Sequence, residues 1–204
     1  MSTLLGNTPG ATLLLIAILA VSLIGLFAAP ALIERNLFRP YWLVPRREYR
    51  TPVTSAFIHA DLAHLLFNAI TFWAFAFGLE SRMGTARFLA LYAFGLAGSS
   101  LGTWFKHRRD PEYRTLGASG AILAVLFASI VYTPTASLIV FPVPVPIPAP
   151  LFAVGYLAYT WYASQQRHGR INHDAHLTGA IAGLAFVVLT DPEAVARAWR
   201  TVAG

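Results

Sequence analysis

Residues 11–29 form a run of nineteen residues without a charge, and comparable apolar runs recur along the chain. An α-helix crossing the hydrocarbon core of a bilayer needs about 20 predominantly apolar residues. Composition agrees: 56% of residues are hydrophobic, 12% are charged and mean hydropathy is +0.58, far from an ordinary soluble domain. The chain is therefore expected to be an all-α polytopic membrane protein. Six apolar segments can be drawn, at about 11–29, 61–79, 88–105, 119–133, 151–164 and 175–189. Six spans would use about 120 residues and leave only short loops, so residues 1–204 are read as a single membrane domain.

The first run follows an N-terminus without Lys or Arg and is longer than a signal-peptide core, so it is expected to be a retained span ending at Pro30. Residues 34–55 then carry five arginines with Phe38, Tyr41, Trp42 and Tyr49. Arginines beside aromatic rings suit the membrane interface, where this connection should be structured. The net charge of +6 lies in loops without an aromatic-interleaved basic face, which points to lipid headgroups and away from nucleic acid. The absence of cysteine excludes disulfides, thiolate metal sites and a cysteine nucleophile. The six histidines show no ligand spacing such as His-Glu-x-x-His, so no metal and no cofactor are expected.

Three polar constellations interrupt the apolar segments, where polar groups are costly without a role. Gly117-Ala118-Ser119-Gly120 opens the fourth span, His64 and Asn68 share one face of the second, and Ala175-His176-Leu177-Thr178-Gly179 opens the sixth. A fourth helix from Ser119 to the residue before Pro134 has about 15 residues and covers about 22 Å, short of the roughly 30 Å core. Ser119 would then lie below the membrane surface beside a cavity, with free N–H groups and the positive helix end behind it. Gly179 and Gly183 share the His176 face and can press against Gly120, Ala124 and Ala128. Such docking brings Ser119 and His176 together as nucleophile and general base. His64, Asn68 and the Ser119 N–H could then donate to an oxyanion. No acid is placed to orient His176, and Asp61 reads as a helix cap. For Glu80 and Arg82 an ordinary surface or turn-locking pair is expected. The alternating prolines of residues 141–150 forbid helix and favour an extended loop, and 167–174 reads as a polar loop.

In this order the motifs resemble the rhomboid family of intramembrane serine proteases, over about residues 41–189. The resemblance implies a six-helix rhomboid-like bundle with Ser119 as nucleophile, His176 as base and His64 with Asn68 as oxyanion partners. Gly117 and Gly120 flank the serine, and the Glu80-x-Arg82-x-Gly84 turn and the proline-rich segment look like family features. His59 falls where the family has a structural histidine. Two departures stand out: Tyr49-Arg50 replaces a Trp-Arg pair, and Leu123 replaces the tyrosine that many bacterial members carry four residues after the serine. Support for the His176 ring must therefore be apolar or come from elsewhere.

The implied partners are transmembrane protein substrates within the lipid bilayer. The implied location is the cell (inner) membrane, with cytoplasmic termini and a site opening to the non-cytoplasmic side. That orientation puts four Lys and Arg inside against eleven outside, the reverse of the positive-inside rule. Two other functions compete: a silent rhomboid-like protein binding membrane clients, which would lack Ser119 or His176, and a channel or transporter. A conduit would spread ionisable residues through several spans, whereas here they gather near one end.

Overall fold

The computed structural model describes residues 8–140, 143–166 and 171–204. Residues 141–142 of the proline-rich segment and 167–170 of the polar loop lie outside the described residues. Helix α1 (Pro9–Leu23) continues through a π-type turn at Ile24–Ala28, and α2 (Pro30–Asn36) and α3 (Thr51–Thr54) structure the first connection. Helices α4 (Leu62–Met83) and α5 (Thr85–His107) are followed by α6 (Ser119–Tyr132). A hairpin of β1 (Ser137–Val140) and β2 (Val143–Pro148) precedes α7 (Ala149–Ser164), α8 (His173–Thr190) and α9 (Pro192–Ala203).

Four helical stretches are long and apolar enough to cross a membrane: Pro9–Ala28, Leu62–Met83, Thr85–His107 and His173–Thr190. With the shorter α6 and α7 they make an all-α polytopic bundle. At 14 residues α6 rises only about 21 Å, and eleven of those residues, Gly120 through Ile130, are buried. A helix apolar on every side belongs in the interior, and α6 is packed by α4, α5 and α8. Outer helices turn large apolar side chains outward instead, among them Leu13, Ile16, Phe67, Trp73, Val154 and Trp161. Those are the lipid-facing surfaces.

Close helix approach positions the interior. A Cβ on Gly179 would stand 2.1 Å from the Gly120 carbonyl oxygen, and one on Gly183 would stand 2.2 Å from that of Ala124. Helices α6 and α8 thus touch backbone to backbone, the packing that hydrocarbon solvent favours because apolar side chains gain little by leaving lipid. Asp61 caps α4 by accepting from the His64 N–H at 2.8 Å, and Asn172 caps α8 by accepting from the Ala175 N–H at 3.0 Å.

Two expectations need correction. Glu80 does not pair with Arg82 at the surface; it is 1% exposed and accepts from the Gly10 and Ala11 N–H groups at 2.9 and 2.6 Å and from Thr85 Oγ1 at 2.7 Å. A buried carboxylate needs several donors, and the orphan N–H groups at the start of α1 supply them. Arg82 instead points its guanidinium at the Tyr132 carbonyl, 3.5 Å away. The proline-rich segment is extended as expected but is not a free loop. Its strand pairs antiparallel with β1, Leu138 opposite Ile147 and Val140 opposite Val143. Prolines at alternate positions suit an edge strand, which bonds to its neighbour through every second residue.

Asp191 ties the far end together. It accepts from Tyr132 Oη at 2.9 Å and the Ala194 N–H at 3.0 Å, with Arg87 at 3.6 Å and Arg197 at 3.8 Å. Burial alone would raise this carboxyl, but these hydrogen bonds and charges outweigh it and hold it below the usual carboxylate range. A lowered native value means the contribution to stability is complete above about pH 4 and is lost as pH falls through the native value. Asp191→Asn is therefore expected to flatten the acid limb of the unfolding midpoint in detergent, and an unchanged limb would contradict this role. In the bundle interior, Gly183→Ala is expected to lower stability by about 1–3 kcal/mol. Gly78→Ala, where a Cβ meets nothing within 4 Å, is expected to be neutral or to stabilise by about 0.5–1 kcal/mol. Equal unfolding midpoints for the two variants would refute backbone contact at Gly183.

Candidate active site

The turn before α6 is built around Gly117. Its φ of +114° lies where only glycine is comfortable, and a Cβ there would stand 2.6 Å from His64 Cε1. The Gly117 N–H donates to the Ser55 carbonyl at 2.9 Å, which fastens the turn to the segment before α4. His59 joins three elements at the same place. Ser22 of α1 donates to the Phe57 carbonyl at 2.9 Å and lies 2.8 Å from His59 Nδ1, while the Ala118 N–H points at His59 Nε2 from 3.5 Å. Burial, followed by the neighbouring His64, pulls His59 well below its ordinary value, so it stays neutral. A neutral ring with Nδ1–H donating to Ser22 and Nε2 accepting fits both contacts.

Ser119 is the first residue of α6, and its Oγ lies 2.9 Å from His176 Nε2, one turn into α8. Chemically, a hydroxyl hydrogen-bonded to a neutral imidazole can lose its proton as it attacks an electrophile. The opposite ring nitrogen, Nδ1, lies 3.1 Å from Tyr156 Oη of α7. Tyr156 was not among the residues singled out from sequence; a tyrosine in an apolar helix that also holds Tyr159 and Tyr162 carries no spacing signal. No carboxylate among the described residues contacts His176. Asp174 is turned away, with Lys106 Nζ at 2.7 Å on one oxygen and His107 Nε2 at 2.8 Å on the other. His107 stacks on Tyr113 at 3.5 Å. Burial first, and then the Asp174 carboxylate, pushes the Tyr113 phenol up, so this clamp between α5 and α8 keeps a neutral ring on its imidazole.

His64 of α4 lines the same region. It packs edge-on to His59, ring centroids 4.8 Å apart, and against Gly117. Asn68 is 7% exposed, and its Nδ2 has no hydrogen-bond partner among the described residues. A buried amide is expensive to leave without a partner. A cavity of about 30 Å³ adjoins Ser119, lined by Ser55, Ser99, Thr103, Thr115 and Asn172 among others. Its size and polar walls admit one or two water molecules.

Known proteins are similar in sequence over most of these segments. The rhomboid domain profile matches residues 46–192. Similar proteins include "Rhomboid protein 1, mitochondrial" of Saccharomyces cerevisiae, 29% identical over 73% of this chain and 45% of its own length. "Presenilin-associated rhomboid-like protein A, mitochondrial" of Danio rerio is 32% identical over 66% of this chain and 36% of its own. "Putative rhomboid protease YdcA" of Bacillus subtilis is 38% identical over 40% of each. The chain thus spans less than half the length of these curated relatives. Since the profile takes in Ser119, His176 and every helix from α4 to α8, the chain belongs to the rhomboid family.

Proposed function

We propose that this multi-pass membrane protein is an intramembrane serine endopeptidase that hydrolyses peptide bonds in or near transmembrane segments of other membrane proteins. The observation that carries the reading is the 2.9 Å contact between Ser119 Oγ and His176 Nε2 inside a helical membrane bundle. Two relatives whose names include "rhomboid protease" support it.

In this mechanism Ser119 Oγ attacks the scissile carbonyl carbon while its proton passes to His176 Nε2. The oxyanion so formed is met by the Ser119 N–H, Asn68 Nδ2 and His64, aided by the positive end of α6. Collapse breaks the C–N bond, and His176 returns the proton to the leaving amine. Water from the polar cavity then attacks the acyl-enzyme with His176 again as base, releasing the second product and restoring Ser119. A substrate helix protects its own peptide bonds by hydrogen bonding. The preferred substrates therefore carry Gly, Pro or polar residues that weaken the helix, and the family resemblance implies a small residue before the cleaved bond.

The membrane proposed is the cell (inner) membrane, with the Ser119 end of α6 towards the non-cytoplasmic side. Because the chain has no cysteine, the single substitutions Arg109→Cys and Arg200→Cys report sidedness directly in cells. An impermeant maleimide is expected to label the Arg109→Cys variant and not the Arg200→Cys variant; the reverse would overturn the orientation.

The function itself is tested in proteoliposomes with a synthetic transmembrane substrate. Cleavage is expected for the wild type, absent in Ser119→Ala, and faster when a helix-weakening residue is introduced near the bond. Indifference to helix-weakening would refute the substrate reading, and cleavage by Ser119→Ala would refute the nucleophile. Asn68→Ala is expected to slow turnover by up to about two or three orders of magnitude; unchanged turnover removes Asn68 from the mechanism. Activity is expected to rise with pH along its acid limb, because imidazolium cannot accept the Ser119 proton. A rate that climbs on acidification would contradict His176 as base.

A further inference from the structure

We propose that Tyr156 is the positioning residue for His176, holding the imidazole in the tautomer and orientation that leave Nε2 free to accept the Ser119 proton. The inference rests on the reading of Ser119 and His176 as nucleophile and base. An imidazole that takes a proton at Nε2 must carry its hydrogen on Nδ1 beforehand, and that N–H needs an acceptor in an apolar surrounding. Tyr156 Oη, at 3.1 Å, is the acceptor in place. The two ring nitrogens of His176 are thereby each engaged once, by Ser119 on α6 and by Tyr156 on α7.

No other described residue takes that role. Both Asp174 oxygens are held by Lys106 and His107, and Leu123, four residues after the serine, has no polar side-chain atom. His173 meets the His176 ring edge-on with centroids 5.9 Å apart, a packing contact with no hydrogen bond to it. Tyr156 is itself fixed by rings. It stacks on Phe152 at 5.4 Å and 27°, and lies 5.8 Å from Phe127, which is fully buried. Its hydroxyl therefore has little freedom to leave Nδ1.

The choice of a phenol has a physical reason. A carboxylate at this depth would be a buried charge, with a desolvation cost of several kcal/mol to be offset whether or not the base is protonated. A phenol oxygen orients the neutral ring without that cost. When His176 becomes imidazolium, the same contact becomes a charge-assisted hydrogen bond, stronger at the moment the proton arrives.

Tyr156→Phe removes the hydroxyl and keeps the ring packed between Phe127 and Phe152. Labelling by a fluorophosphonate, resolved into a saturation constant and a maximal inactivation rate, separates binding from chemistry. The maximal rate is expected to fall about ten-fold, with the saturation constant and the unfolding midpoint unchanged. In ¹⁵N-histidine spectra, assigned by the signals lost in His176→Ala, the wild type is expected to hold the Nδ1–H form and Tyr156→Phe a mixture of both tautomers. An unchanged rate with an unchanged tautomer would overturn the role of Tyr156 while the reading of Ser119 and His176 stood. A slower rate with an unchanged tautomer and a lowered midpoint would make Tyr156 a packing residue only, and would also overturn the proposal. Failure of the wild type to label above Ser119→Ala would remove the dyad and this inference with it.

Discussion

Everything near Ser119 depends on how closely α6 and α8 approach. In lipid, two apolar helices gain little from hiding side chains from water, so they adhere through close backbone contact, and large side chains prevent it. Gly179 against Gly120 and Gly183 against Ala124 leave no room for a single added carbon. Only that contact lets a serine at the first turn of one helix reach a histidine at the first turn of another, 2.9 Å apart. The remaining elements act on this pair of helices from outside. The Glu80 carboxylate seats the start of α1, and Lys106 and His107 of α5 hold the start of α8 through Asp174. Asn172 does the same through Thr103 and Thr115, at 3.1 and 3.2 Å.

A second constraint follows from the shortness of α6. A 14-residue helix cannot bridge the hydrocarbon core, so the segment that leads through Gly117 and Ala118 into α6 must run non-helically below the surface, where unpaired backbone is costly. Ser55 and His59 meet that need by engaging the N–H groups of Gly117 and Ala118. The result is a polar niche in which His59 and His64 stand beside the Gly117 turn and a small cavity adjoins Ser119; one turn along α4 from His64, Asn68 Nδ2 has no hydrogen-bond partner among the described residues. In the proposed mechanism that amide donates to the oxyanion.

Much of the architecture was legible from local features. Uncharged runs long enough for a bilayer announce a polytopic helical protein, and the spacing of Gly179 and Gly183 marks a face for close packing. The approach of Ser119 to His176 was also suggested by residue order, because each stands at the start of an apolar segment whose small residues can meet. What could not be read is whatever depends on distant partners. Glu80 looked like a turn residue because Gly10 and Ala11, which it caps, lie about seventy positions away. Tyr156 was hidden among other tyrosines of the same helix, and the polar contact to the far side of the His176 ring enters from α7. The proline-rich segment announced extension but not its partner, since strand pairing depends on β1, whose sequence carries no turn signal of its own.

The central claim is that Ser119 is a nucleophile made reactive by His176. The most direct test is peptide mapping of the purified, folded protein after reaction with a fluorophosphonate. The account predicts one covalent adduct, on Ser119, abolished in His176→Ala although that variant retains its fold. An adduct at another residue, or undiminished modification of Ser119 in His176→Ala, would contradict it.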